Sequence, residues 1–385
     1  MTNYNISPSI YIEGEGVLSH CREQISFGRN VLLVAENFLL SKFNSETKTL
    51  LKNKRVFHFP FEGECCYKTI TNIYNFGKEN NVDFVVALGG GKAIDTGKLA
   101  GFYLNIPVVT LPTSAATCAA YTALSAVYTA DGKSRGYTLL KTCPAVLILD
   151  FAILIREPQR LIISGMADAL AKYYETVVYT SGKVLTNNVA VAYETSRVIY
   201  DNVFSYGLKA IDDLNKKRLS FELKEIIRTN ILLAGVVGGI GGEGCRACGV
   251  HALNNGFTQI LPTHKFLHGE VVAFSILVQL YLEKKIREIN KLRRFYLKLN
   301  LPTSLRDIGV ENDKRNILEK VIDYSLKPKE TMKNMPFKVG KRELLSAILN
   351  VDKLKDKKFQ PEGSAKKIAG RLCQSVWRKK PKTKN

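Results

Sequence analysis

Five short β-branched runs separated by helix-like stretches constrain the first 150 residues more than any other feature: Val31–Ala35, Arg55–Phe59, Asp83–Leu88, Pro107–Leu111 and Ala145–Leu149. Apolar runs of this length read as strands covered on both faces, which is the habit of a parallel sheet. Parallel neighbours need a crossover, and residues 67–80 supply one, with Ile70, Ile73, Tyr74 and Phe76 at helical intervals. An α/β N-terminal domain with a parallel sheet is therefore predicted.

The rhythm changes after Asp150, where long periodic segments near 160–180, 187–208, 222–240, 271–299 and 315–326 predict helices with few strands. A chain of 385 residues is comfortable for two cores. The expected organisation is an α/β domain over 1–155, an α-helical domain over 156–355 and a basic tail over 356–385. No stretch is long and apolar enough for a membrane span, and the N-terminus has no basic region followed by an apolar one. Eight cysteines scattered without a framework favour reduced thiols, so a cytoplasmic protein is expected. The lone Cys245-Arg-Ala-Cys248 pair has no second pair to complete a thiolate metal site. The formal charge of +21 raises nucleic-acid binding, but residues 351–385 carry ten Lys and two Arg against three acids. Charge concentrated in a terminal run reads as a solvated tail, so a nucleic-acid partner is not expected.

Gly89-Gly90-Gly91-Lys92 follows the third of these runs and opens a helical segment. Without β-carbons such a loop lets backbone amides approach a phosphate, and the helix N-terminus adds unpaired N–H groups and a positive dipole end. The spacing is neither G-x-G-x-x-G nor a nucleoside-triphosphatase loop, so a plain strand-to-helix turn remains an equal reading. Glu36, just after the first of the five runs, is placed to accept hydrogen bonds from adenosine ribose hydroxyls, which favours NAD over NADP.

Three of the five histidines, His251, His264 and His268, fall within eighteen residues, with His264 and His268 at i,i+4 spacing that would share a helix face. Imidazoles with one carboxylate suit zinc or iron(II) and leave the ion Lewis acidic. Asp168, among small and apolar residues of a helix expected to be buried, is the candidate carboxylate, with an ion pair to Lys172 as its structural alternative.

Taken together, Gly89-Gly-Gly-Lys-Ala-Ile-Asp-Thr96, Leu111-Pro-Thr-Ser114, Gly165-Met-Ala-Asp-Ala-Leu170, His251-Ala-Leu-Asn-Asn-Gly256 and Leu267-His-Gly-Glu270 resemble the iron-containing alcohol dehydrogenase and glycerol dehydrogenase family. The resemblance runs from about residue 5 to about 355. It implies a Rossmann-like domain followed by an all-α domain, as in the dehydroquinate synthase-like superfold, with an active site in the cleft between them. It implies Asp168, His251 and His268 as ligands of one divalent metal, Zn2+ or Fe2+, with His264 a neighbour. Gly90, Gly91, Lys92 and Asp95 would surround the pyrophosphate of NAD(H) or NADP(H), and Thr113, Thr117, Thr122, Leu124 and Tyr128 would line the nicotinamide half. Proton delivery is left open between water, the ribose hydroxyl and His264.

Glycerol dehydrogenases carry an aspartate where this chain reads Thr117-Cys-Ala-Ala-Tyr121. Cys118 cannot accept from a polyol as a carboxylate does, and its neutrality removes a repulsion against an anion. With Lys327-Pro-Lys-Glu-Thr331, this stretch looks more like the hydroxycarboxylate dehydrogenase branch. The expected reaction is therefore hydride transfer between a small alcohol, a 2-hydroxy acid first, and its carbonyl compound. Glycerol, a phosphorylated substrate as in glycerol-1-phosphate dehydrogenase, and a related lyase are the alternatives. A small-molecule substrate and a homo-oligomer are expected.

Overall fold

The strands fall where the apolar runs predict, one more strand joins them in the sheet and two others pair separately. A computed structural model of the chain describes residues 5–311 and 314–354. Six strands, β1 (Ile10–Gly14), β2 (Asn30–Ala35), β3 (Arg55–Pro60), β4 (Phe84–Gly89), β5 (Val108–Pro112) and β8 (Val146–Asp150), form one sheet in the order β1-β8-β5-β4-β2-β3, parallel throughout. The strands β6 (Leu124–Tyr128) and β7 (Ser134–Leu139) make a separate antiparallel hairpin. β4, β5 and β8 are buried along their whole length, as the unbroken apolar runs require. Cores lie on both faces of the sheet, Leu33, Val86 and Ile148 contributing to one and Leu32, Val34 and Val85 to the other.

The strand order places the site. From β2 the chain goes outward to β3, then returns across β2 to β4, so the direction of winding reverses between β2 and β4. In open α/β sheets ligands bind beyond the carboxyl ends of the strands at such a switch point. Here those ends are Ala35-Glu36 and Gly89-Gly90, which the register sets side by side, Ala35 facing Leu88.

Helices follow from Phe151 onward: Gln159–Thr180, Asn187–Asn215, Phe221–Arg228, Ala234–Ile240, Gly249–Phe257, His268–Leu282, Ile286–Lys298, Lys314–Ser325 and Lys341–Asp352 are the longer ones. Pro158 stands immediately before the first of these. The predicted helix over 271–299 is in fact two: Lys284 adopts φ 59° and ends the first, a break that periodicity does not register because both halves are amphipathic or apolar. Sheet and helices belong to one compact unit ending at Asp352. The predicted basic tail over 356–385 lies outside the described residues. No helix among those described is long and apolar enough to cross a membrane.

Candidate functional site

A cleft of about 640 Å³ runs from the switch point to the helices, and its lining contains both sets of residues singled out above. At the sheet end, Gly89 holds φ 154°, and a Cβ there would meet that of Ala93 at 2.8 Å, so the turn from β4 into the helix Gly91–Leu104 requires glycine. Gly90 caps that helix, and Gly91 and Lys92 form its first turn, whose N–H groups lack intrahelical partners. The Lys92 ammonium is paired with Glu64. Glu36 caps the helix Asn37–Lys42, and burial raises its carboxyl against the pull of Lys92. Thr113 donates its backbone N–H to Gly89 O at 3.0 Å, tying the loop after β5 to the glycine turn. In β6 the alternation of half-buried Leu124, Ala126 and Tyr128 with buried Ser125 and Val127 turns the first three toward the cleft.

Asp95 lines the cleft, but its carboxylate looks away from the glycine loop. It accepts from Ala126 N–H at 3.0 Å and pairs with Lys98 at 2.9 Å, while Lys98 also bonds the carbonyls of Ala119, Thr122 and Leu124. This buried pair fastens the hairpin and the loop before it to the helix Gly91–Leu104. Burial raises the Asp95 carboxyl and Lys98 opposes that rise.

At the helical end, close packing assembles three side chains from distant parts of the chain. The helices Gln159–Thr180 and His268–Leu282 approach so tightly that a Cβ on Gly269 would lie 1.9 Å from Ser164 O. Gly269 N–H donates to Ser164 Oγ at 3.1 Å, and Arg160 grips Glu270 through two bonds of 2.6 and 2.7 Å. Glu270 also accepts from Leu267 N–H at 2.8 Å, closing the start of the second helix. One turn past Ser164, Asp168 thereby faces His268, and the helix Gly249–Phe257 brings His251 alongside.

Asp168 Oδ1 lies 3.3 Å from His251 Nε2 and 3.5 Å from His268 Nε2, and the three donor atoms are within 4.8 Å of one another. Bonds of about 2.0–2.1 Å in a tetrahedral site separate donors by about 3.3 Å, so the spacing fits a zinc-sized ion. Asp168 Oδ1 is buried and has no hydrogen-bond partner. The Lys172 ammonium, the partner expected at i,i+4, stands 3.8 Å away and offsets its charge without hydrogen-bonding it, so its lone pairs are left for a cation. Residues behind the two imidazoles orient them. The buried Glu175 accepts from His251 Nδ1–H at 2.6 Å, from His251 N–H at 3.0 Å and from Cys248 N–H at 2.6 Å. Asn254 Nδ2 lies 3.1 Å from His268 Nδ1 and donates to it, which holds the ring with Nε2 toward Asp168. Burial raises the Asp168 carboxyl, but Lys172, His251 and His268 outweigh it and hold it well below the usual range. The same contest lowers Glu175, where His251 and Lys172 prevail.

All the residues expected to line the cofactor path, Glu36, Gly90, Gly91, Lys92, Asp95, Thr113, Thr117, Thr122, Leu124 and Tyr128, border this one cleft, as does Cys118. Burial pushes the Cys118 thiol up to about 11, so it is neutral. The exception is His264. The turn Leu261–Thr263 and the start of the next helix only at His268 break the i,i+4 face expected of His264 and His268. His264 is exposed, and its Nε2 lies 2.8 Å from Thr258 O. Sequence reasoning also passed over Glu175, Asn254 and Glu64. Glu175 had a signal, since it is seven residues from Asp168 on one helix and so on the same face; the other two did not.

Comparison with known proteins identifies the family. A family model described as iron-containing alcohol dehydrogenase matches residues 8–151. Glycerol dehydrogenase of Thermotoga maritima is 32% identical over 92% of this chain and 98% of its own. Hydroxycarboxylate dehydrogenase A of Escherichia coli is 29% identical over 91% of this chain and 97% of its own. The crystal structure of a probable glycerol dehydrogenase from Sinorhizobium meliloti superposes with a TM-score of 0.82 at 26% identity, covering 91% of this chain and 98% of that one. With sequence identity sustained over nearly the whole length and the same fold, the chain belongs to the iron-containing alcohol dehydrogenase family and is an oxidoreductase acting on CH–OH groups.

Proposed function

We propose that this chain is a metal-dependent, NAD(H)-linked dehydrogenase in which Asp168, His251 and His268 hold one divalent ion, zinc or iron. The observation that carries the reading is the orphaned Asp168 oxygen facing two imidazole nitrogens in a cleft that also contains the glycine loop. When bound, the nicotinamide exchanges hydride and the ion supplies positive charge where the substrate oxygen becomes alkoxide-like.

The remaining work falls to the chain. The N–H groups at Gly91 and Lys92 receive the pyrophosphate, and Glu36 takes the ribose hydroxyls and opposes a 2′-phosphate. Thr113, Thr117, Thr122, Leu124 and Tyr128 hold the nicotinamide half toward the ligand triad. Glu175 and Asn254 keep the imidazoles oriented, so little reorganises during reaction. In the reducing direction a carbonyl carbon gains hydride from NADH, its oxygen gains a proton from solvent, and alcohol and NAD+ leave.

The relatives named glycerol dehydrogenase favour glycerol and dihydroxyacetone over the 2-hydroxy acids that the sequence put first. A second reading, a 2-hydroxy acid and its 2-oxo acid, is kept because the neutral Cys118 and the cation Lys172 border the cleft. The deciding experiment is oxidation of NADH and NADPH by metal-loaded protein with dihydroxyacetone, 2-oxo acids and simple aldehydes, before and after chelation and in His268→Ala. Chelator-sensitive turnover that disappears in the variant is expected. Full turnover after metal removal or in His268→Ala would overturn the site assignment.

A further inference from the structure

A second pocket, of about 420 Å³, shares only Ser134 with the cofactor cleft and has no part in the chemistry above. Its walls come from distant stretches of the chain. Lys133 and Arg135 belong to the hairpin and Gln259 to the turn after the helix Gly249–Phe257, while Tyr324 and Lys329 lie around the end of the helix Lys314–Ser325. Tyr67, which opens the helix Tyr67–Glu79, closes the ring. The volume falls within the range of about 300–1,000 Å³ usual for small-molecule sites.

The floor of this pocket is fixed by bonds of the chain itself. Ser134 N–H donates to Thr258 Oγ1 at 2.9 Å, and Ser134 O accepts from the buried Tyr324 hydroxyl at 2.8 Å and from Gln259 Nε2 at 3.4 Å. The hairpin is thereby tied to the helices, and Arg135, the next residue, stands on the tied segment. Cations crowd above it. Lys327 and Lys329 lie 4.3 and 5.7 Å from the centre of the Tyr324 ring, whose face attracts both ammonium groups. Lys133 pairs with Asp131 at 2.7 Å, but among the described residues neither Arg135 nor Lys329 forms an ion pair. The other nearby carboxyl is the buried Glu330, which accepts from Asn255 Nδ2 at 2.9 Å. Four cations against these two acids leave at least two positive charges, beside the positive end of the helix that begins at Tyr67.

A phosphate dianion matches that excess. The Arg135 guanidinium presents a fork suited to two of its oxygens, Lys133 and Lys329 supply point charges, and the pocket has room beside the phosphate for a small organic body against Tyr67 and Tyr324. We propose that the pocket between the hairpin and the helix Lys314–Ser325 is a binding site for a phosphate dianion, free or as the monoester of a small organic molecule. The site is separate from the ligand triad and the glycine loop, and it does not depend on which alcohol the enzyme oxidises.

The test titrates inorganic phosphate and phenyl phosphate calorimetrically into metal-loaded, NADH-saturated, full-length protein, so that cofactor already fills the glycine loop. Saturable binding of one equivalent per chain is expected. Arg135→Met and Lys329→Met should each weaken it by about tenfold or more, since each loses a charge-assisted hydrogen bond, whereas His268→Ala should leave it unchanged. Both pocket side chains are exposed, so these two variants should keep the wild-type melting temperature. Methanesulfonate, a monoanion of similar shape, should bind about tenfold or more weakly than phosphate. Tighter binding of phenyl phosphate than of phosphate identifies an organic monoester as the occupant, and equal or weaker binding identifies the free ion. No saturable binding to the wild type overturns the proposal, as does equal affinity for methanesulfonate. Binding that survives in both pocket variants, or that disappears in His268→Ala, overturns it as well, because the anion would then sit elsewhere.

Discussion

Replacing Gly269 by Ala separates the packing that builds the site from the ligands themselves. By local preference the change is favourable, since Ala gains about 0.5–1 kcal/mol over Gly in a helix. Tertiary contact opposes it: the added carbon would stand 1.9 Å from Ser164 O, where ordinary contact begins at 3.4 Å, so the two helices must part by about 1.5 Å. Accommodation of this kind costs about 1–3 kcal/mol, which the protein survives. The ligands do not, because His268 is the neighbouring residue and Asp168 lies one turn past Ser164, so their separation changes by a comparable distance. Metal sites tolerate only about 0.2 Å, and a misplacement of about 1 Å near the chemistry lowers turnover by about 100-fold. The assay is titration of zinc or iron(II) against a competing chelator, with circular dichroism to establish that the variant is folded. A folded Gly269→Ala protein with wild-type metal affinity and turnover would refute the reasoning.

Three further outcomes are expected. Glu175→Gln should lower metal affinity by about 10–100-fold without changing the ligand set, since an amide cannot accept from His251 Nδ1 and both backbone N–H groups as a carboxylate does; chelator competition measures it. Burial pushes the Glu157 carboxyl up from 4.5 to about 8, although Oε2 accepts from Ala115 N–H at 3.0 Å. The folded chain holds this proton more tightly than the unfolded one, so its contribution is complete below pH 4.5 and lost as pH rises through about 8. Melting curves should therefore show a loss of stability on the order of a few kcal/mol across that window, which Glu157→Gln flattens; an equally steep profile in the variant would sink the assignment. Glu36→Arg should raise the NADPH/NADH ratio of kcat/KM by about tenfold or more, because a carboxylate opposing the 2′-phosphate becomes a cation that binds it, and steady-state kinetics with both cofactors check this.

Local pattern was enough for much of the molecule. Strands buried on both faces write themselves as unbroken apolar runs, so β2, β4, β5 and β8 were announced; the edge strand β3, exposed or half-buried along its length, was announced by its β-branched and aromatic residues, and the glycine turn was legible with them. The short β1, carrying Glu13 and half exposed, gave no such signal, because its strand character comes from pairing with β8 more than 130 residues away. Residue type and clustering drew attention to His251, His264, His268 and Asp168, and the family resemblance chose Asp168, His251 and His268 among them.

What sequence alone determined, then, is the kind of sheet and the glycine loop after its third run, which follow from residue type and short-range periodicity, whereas the set Asp168, His251 and His268 was implied by the family resemblance. Only the tertiary structure placed His264 at the surface, where a turn carries it, and turned Asp95 toward Lys98 and the hairpin. It alone joined Glu175 to His251 and aimed Lys172 at the same imidazole. These last two pairings depend on how the helix Gly249–Phe257 lies against the helix Gln159–Thr180, and spacing along one chain carries no record of the distance between helices.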